Sequence, residues 1–185
     1  MSSLDVVVIG AGQAGLAASH HLSRRGIDHV VLERGRVGET WRTQRWDSFA
    51  LNTPRWMSRQ PGEPAALADN ERETFLSAPA WVECLEAAAA ADNTPMRAQT
   101  SVTRVSPGPT GGFVITARAP DGMTEWHAKA VVAASGSMNV ARVPAFAASL
   151  PAHISQLTTA TYRRPDDLAA GAVLVVGSAQ SGVQI

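Results

Sequence analysis

The chain begins with an apolar run, Val6 to Ile9, that breaks into Gly10-Ala11-Gly12-Gln13-Ala14-Gly15. Past Gly15 the spacing changes: Leu16, Ala17, Ala18, His21 and Leu22 recur at helical intervals until Gly26 stops them, and Ile27 to Leu32 resume an apolar run. Residues 1 to 33 are therefore predicted as strand, helix and strand. Residues 34 to 78 keep no period of either kind and are interrupted by Pro54, Pro61 and Pro64. Yet Trp41, Trp46, Phe49, Leu51, Trp56 and Met57 make this stretch too apolar for a free linker, so it reads as ordered loops with short helical pieces packed around something. A large flat ligand would suit such a wall, and ordinary satellite core under a long loop is the alternative.

Beyond it, Pro79 to Ala91 is predicted as a helix, with Ser77 near its start and Trp81, Leu85 and Ala88 on one face. Four strand-like runs follow, Met96 to Ala98, Ser101 to Val105, Phe113 to Arg118 and Trp126 to Ala134, separated by Pro107-Gly108-Pro109, Gly111-Gly112 and Asp121-Gly122. The Asp-Gly pair predicts a hairpin. Ala130 to Ala134, small and continuous, is expected to return to the centre of a parallel sheet. Residues 137 to 170 are turn-rich and read as a connection, and Ala172 to Val176 as a further, fully buried strand before Gly177.

The glycines explain what the first unit is for. Gly10 lets the chain turn sharply off the strand, Gly12 leaves no side chain between backbone and a pyrophosphate, and Gly15 lets the helix pack tightly on the sheet. The anion then sits at a helix N-terminus, where free N–H groups and the dipole favour it. Glu33, eighteen residues past Gly15, ends the second strand where a carboxylate accepts ribose hydroxyls. A secretory signal is the competing reading of residues 6 to 18, but Asp5 stands where a basic segment should be, and a signal has no use for the glycine spacing.

Charge and cysteine content narrow the classes. The formal net charge is zero, and the basic residues are scattered arginines with Lys129 the only lysine, so neither nucleic acid nor an anionic membrane is indicated as partner. No apolar run is long enough to span a bilayer, and a cytoplasmic protein is expected. Cys84 is the only cysteine, read as a small buried thiol, so these residues hold neither a redox-active pair nor a thiolate metal site. The five histidines do not cluster; His20 and His21 on the first helix and His127 in a strand read as structural. No acid, base or nucleophile constellation stands out.

A second glycine pattern, Gly177-Ser178-Ala179-Gln180-Ser181-Gly182, follows the apolar run at 172 to 176, with Ala179 where the second glycine should be. It leads into a helix start at Val183-Gln184-Ile185, so the expectation is the N-terminal part of a longer protein with two dinucleotide domains.

The ordered set Gly10-x-Gly12-x-x-Gly15, Glu33, Gly38-x-x-Trp41, Ala134-Ser135-Gly136, Tyr162-Arg163 and Gly177 to Gly182 resembles the flavin-containing monooxygenase group, with the bacterial FAD-dependent oxidoreductases related to it, over almost the whole chain. The resemblance implies an α/β fold: a Rossmann-like FAD-binding domain with a parallel sheet and an inserted β-meander, then the start of a second, NADPH-binding Rossmann-like domain. It implies domains at 1–140 and 171–185 joined by 141–170. Gly10, Gly12, Gln13, Ala14, Gly15, Glu33 and Arg34 would hold the ADP half of FAD, with Gly38 and Trp41 leading toward the flavin. Val102 would offer backbone groups to adenine, and Ser135 and Gly136 would close the FAD site. Gly177, Ser178, Gln180, Ser181 and Gly182 would open the NADPH site. The implied chemistry is reduction of FAD by NADPH, capture of dioxygen and transfer of one oxygen atom to a small substrate. Phe146 and Tyr162-Arg163 match the group's identifying segment, but Thr158 stands where its histidine belongs and His153 is out of register. A non-catalytic dinucleotide-binding remnant, a non-oxygenating flavin oxidoreductase and a simple NAD-dependent dehydrogenase are the alternatives, the last disfavoured by the Trp-rich loop and the second glycine loop.

Overall fold

The computed structural model describes residues 3–63 and 67–185; Pro64 of the loop-rich segment lies outside the described residues. Among the described residues, six strands form one sheet: β1 (Leu4–Ile9), β2 (His29–Leu32), β3 (Met96–Arg97), β4 (Ser101–Pro107), β5 (Phe113–Ala119) and β6 (Gly122–Ala133). Their order is β3-β2-β1-β6-β5-β4. The first four in that order are mutually parallel, and β6, β5 and β4 form the antiparallel meander. β6 belongs to both halves: its first part pairs antiparallel with β5 from Gly122 to Ala128, and its last part runs parallel to β1 from Ala128 to Ala133. The predicted return to the parallel sheet and the Asp121-Gly122 hairpin are both present. Ile27 and Asp28 fall outside β2, although the Asp28 carbonyl, by accepting from the N–H groups of Asp5 and Val6, makes the first bonds of the pairing with β1.

The alternation within β1 divides the core. Val6 and Val8 pack with Leu16, Val31, Val37, Leu51, Trp81 and Leu85, under α1 (Gln13–Arg24) and α4 (Ala78–Ala91). Val7 packs on the opposite face with Val30, Leu32, Ile115, Ala117 and Ala128, so the meander covers that side. Trp81 and Leu85 are fully buried. Each such side chain contributes about 1.5–3 kcal/mol. Ser77 caps α4 by accepting from the Ala80 N–H, as its position predicts. His20 pairs with Asp92 just past α4 at 2.9 Å, and His29 donates from Nδ1 to the Ile27 carbonyl, leaving Nε2 to accept from the Ser19 hydroxyl at 2.8 Å in the neutral ring. Both histidines tie elements together.

The loop-rich segment carries short helices, α2 (Glu39–Thr43) and α3 (Asp69–Arg72), and an antiparallel bridge between Ala50 and Ser77. Trp46 and Leu51 are buried, whereas Trp56 and Met57, expected in the same wall, stay exposed. Tyr162 is buried, and the Arg163 carbonyl accepts from the Asp47 N–H while its guanidinium donates to the carbonyls of Thr43 and Arg45, which pins the 137–170 connection to the end of α2.

Two further expectations fail. Residues 172–176 form no strand, and Leu174 is 85 % exposed, because an apolar run is buried as a strand only where neighbouring strands complete its ladder and none does so among the described residues. Cys84 is half-buried rather than buried. No helix among the described residues is long and apolar enough to cross a membrane.

The contact that seats α1 on β1 is backbone to backbone: a Cβ on Gly15 would collide with the Gly10 carbonyl oxygen, whereas a Cβ on Gly12 would meet nothing within 4 Å. Gly15→Ala therefore lowers unfolding free energy by about 2–4 kcal/mol in urea titrations, while Gly12→Ala stays within about 0.5 kcal/mol. Burial pushes the Cys84 thiol up from its ordinary value. Its alkylation by iodoacetamide should be slower than that of a free cysteine at pH 8, with the rate rising at more alkaline pH than for the free thiol.

Candidate functional site

The carboxyl ends of β1 and β2 and the loop after β6 meet at the start of α1. Gly10 carries the turn off β1 with φ of +106°, where any side chain would press on the Ala134 carbonyl at 2.5 Å. Gly12 is the N-cap of α1 with extended backbone, φ −89° and ψ −170°, and no side chain among the described residues caps the helix. The first N–H groups of α1 are thus left without a side-chain acceptor, above open space.

Glu33 closes the loop from the sheet side. It is 7 % exposed; Oε2 accepts from the Ala11 N–H at 2.7 Å and Oε1 from the Gly35 N–H at 2.8 Å. Each carboxylate oxygen retains a second acceptor direction. The carboxylate is held by one N–H of the glycine loop and one just past β2, so Glu33 both shapes the loop and remains able to receive two more hydrogens.

Around these groups lies a cavity of about 1070 Å³. Of the residues singled out in the sequence, Gly10, Gly12, Gln13, Ala14, Glu33, Arg34, Gly38, Trp41, Val102, Ser135 and Gly136 line it. Gly15 sits behind the wall, where it packs the helix on the strand. Gly177, Ser178, Gln180, Ser181 and Gly182 do not reach the cavity.

Other wall residues carry no motif. Arg45 stacks its guanidinium 4.7 Å from the Trp41 ring centre and 5.3 Å from that of Phe49, and burial pushes its pKa down. Asn139 donates to the carbonyls of Ser135 and Gly136 and accepts from Arg34 at 3.0 Å, so it ties the turn after β6 to the residue beyond Glu33. Gln60, Thr100 and Ser101 add to the polar surface. Their one-dimensional signal is weak: Arg45 lies next to an aromatic cluster, but Gln60 and Asn139 sit in loops whose approach to the glycine turn is set by tertiary packing.

The second glycine loop repeats the backbone of the first. Gly177 has φ of +122°, a Cβ on Gly182 would collide with the Gly177 carbonyl, and Ala179 caps α5 (Gln180–Gln184) with φ −79° and ψ −179°. Ala179 thus occupies the conformation of Gly12, one that an L-residue adopts without strain. The loop is exposed and rests on the 50–52 segment: Asn52 donates to Gln180 Oε1 at 2.9 Å, and Gln184 donates to the Ala50 carbonyl at 3.1 Å.

Comparison with known proteins identifies relatives that cover nearly the whole of this chain. The chain is 33 % identical over 183 residues to an uncharacterised CzcO-like oxidoreductase of Geobacillus kaustophilus, covering 98 % of this chain and 50 % of that protein. The chain therefore spans about half the length of the curated relatives it matches. Among solved structures, a substituted flavin monooxygenase from Stenotrophomonas maltophilia superposes with a TM-score of 0.83 at 31 % identity, covering 100 % of this chain and 53 % of that one. An oxidised steroid monooxygenase bound to NADP superposes with a TM-score of 0.65 at 27 % identity, covering 78 % of this chain and 28 % of that one. The fold is that of the flavin monooxygenases, and because residues 7–185 match the description of the pyridine nucleotide-disulphide oxidoreductases, the chain belongs to that family.

Proposed function

We propose that this chain is the FAD-holding part of an NADPH-dependent flavin monooxygenase that acts on a small substrate with dioxygen. The observation that carries the reading is the glycine loop: an uncapped α1 N-terminus, open space above Gly12 and the Glu33 carboxylate fixed beside Ala11 fit a dinucleotide diphosphate and its adjoining ribose. In this reading Gly10, Gly12, Gln13 and Ala14 face the diphosphate, Glu33 accepts from the adenosine ribose, Val102 lies by the adenine, and Gly38, Trp41, Ser135 and Gly136 flank the path toward the flavin. Gly15 acts from behind by seating the helix.

The flavin, when bound and reduced by NADPH, supplies the oxygen chemistry, and this chain's residues bind it, orient it and keep water from it. The repeated backbone geometry at Gly177 to Gly182 supports an NADPH-binding loop there, with residues 171–185 opening a second nucleotide domain and 141–170 as the connection. Cys84 is a single half-buried thiol, so these residues favour oxygen transfer over the disulphide chemistry in the family's name. The alternative of a non-oxygenating flavin oxidoreductase shares the same FAD site and differs in the products of NADPH oxidation.

Purified protein mixed with FAD and freed of excess should retain a stoichiometric flavin absorption spectrum. Gly12→Asp, which sets a carboxylate against the diphosphate, should weaken FAD binding by about a hundredfold while the circular dichroism spectrum stays unchanged. Retention of FAD by that variant would remove the diphosphate from this loop. Glu33→Gln leaves one of the two backbone N–H groups facing an amide NH2. Chemical denaturation should show a loss of about 1–2 kcal/mol without FAD.

A further inference from the structure

Gln60 lines the cavity with 4 % of its surface exposed, and neither its amide nitrogen nor its amide oxygen has a hydrogen-bond partner among the described residues. Its main chain, by contrast, is fully used: the N–H donates to Glu63 Oε1 at 2.9 Å and the carbonyl accepts from the Glu63 N–H at 3.2 Å. Glu63 is itself held by Arg55 at 2.7 Å. The turn is therefore complete without the Gln60 side chain, and a buried amide with neither hydrogen bond is a cost to the fold.

The place of Gln60 in the fold says what its side chain can meet. Gln13, Ala17 and His20 follow one another along one stripe of α1, and Gly62 lies over the last of them, a Cβ there falling 3.1 Å from the His20 ring. Gln60 and Pro61, just before Gly62, line the cavity together with Gln13 and Ala17. Gln60 thus flanks the first turns of α1, whereas Glu33 reaches the glycine loop from the sheet side through Ala11. A primary amide presents a donor and an acceptor; a diphosphate oxygen only accepts, and would leave Oε1 without a partner, while a hydroxyl both donates and accepts.

We propose that Gln60 is a cofactor-positioning residue whose amide exchanges hydrogen bonds with hydroxyl groups of the linker between the diphosphate and the flavin ring. The assignment rests on the FAD reading above. It makes Gln60 a determinant of the flavin half of the ligand, as Glu33 is of the adenosine half. The amide that is a cost in the empty protein becomes a contact in the loaded one.

The test is Gln60→Met, with Gln60→Leu as a second apolar variant in case one packs poorly, read by FAD titration, ADP titration and thermal unfolding without ligand. FAD affinity should fall by roughly tenfold, ADP affinity should change less than about twofold, and the ligand-free midpoint should hold or rise by about 2–4 °C. Gln60→Glu keeps an acceptor for a hydroxyl but repels a phosphate, so it should retain more FAD affinity than Gln60→Met. The reverse order places the amide on the diphosphate and overturns the hydroxyl assignment. Equal losses of FAD and ADP overturn the placement on the flavin half. Unchanged FAD affinity, or a ligand-free midpoint lowered by both apolar variants, assigns Gln60 to the fold alone and overturns the proposal. Unsubstituted protein that binds ADP but not FAD, or neither, overturns the FAD reading itself and is distinguished from these outcomes because it appears before any substitution.

Discussion

The site depends on how closely α1 approaches β1. Gly15 lets the helix backbone lie against the Gly10 carbonyl, and that single contact sets the height of the α1 N-terminus over the sheet edge. With the helix so placed, the Ala11 N–H points at Glu33, whose other oxygen is taken by Gly35. The Gly38 N–H then donates to the Ala11 carbonyl and starts α2. Three stretches of chain are thereby joined by short-range polar contacts around one space. A methyl group at Gly15 would act on all of them, although the residue does not face the cavity.

Much of this was legible in the sequence, for physical reasons that differ from element to element. β1, α1 and β2 were clear because period, glycine spacing and a terminal acid agree, and each is enforced by local geometry. The meander was clear because Asp121-Gly122 and the glycine pairs mark turns that only a few backbones satisfy. The cavity wall beyond the motif was not, since Gln60 and Asn139 come to it through tertiary packing that leaves no periodic trace. The run at 172–176 misled for a related reason. An all-apolar segment states that it wants cover on both faces, but cover is supplied by other strands, and the described residues provide none.

The two glycine loops illustrate how much of such a motif is backbone. Gly10 and Gly177 share a positive φ, Gly15 and Gly182 share a close approach to the preceding carbonyl, and Gly12 and Ala179 share an extended conformation open to any L-residue. The first and last glycines are therefore required by the turn, whereas the backbone makes no such demand at the middle position. Sequence alone treats the three as equivalent, and the structure separates two shape requirements from one position that the shape leaves open.

The strand β6 carries a consequence for how such proteins can vary in length. Its first half answers to β5 and ends in a free hairpin, so residues added near Asp121-Gly122 extend the meander outward and leave the rest in place. Its second half is locked to β1 from Ala128 to Ala133 and runs directly into Ala134, whose carbonyl abuts Gly10. One residue inserted there would turn every following side chain to the opposite face and move the Ser135-Gly136 turn away from the glycine loop. Growth of the meander is open at one end of this strand and closed at the other, with the change falling at Ala128.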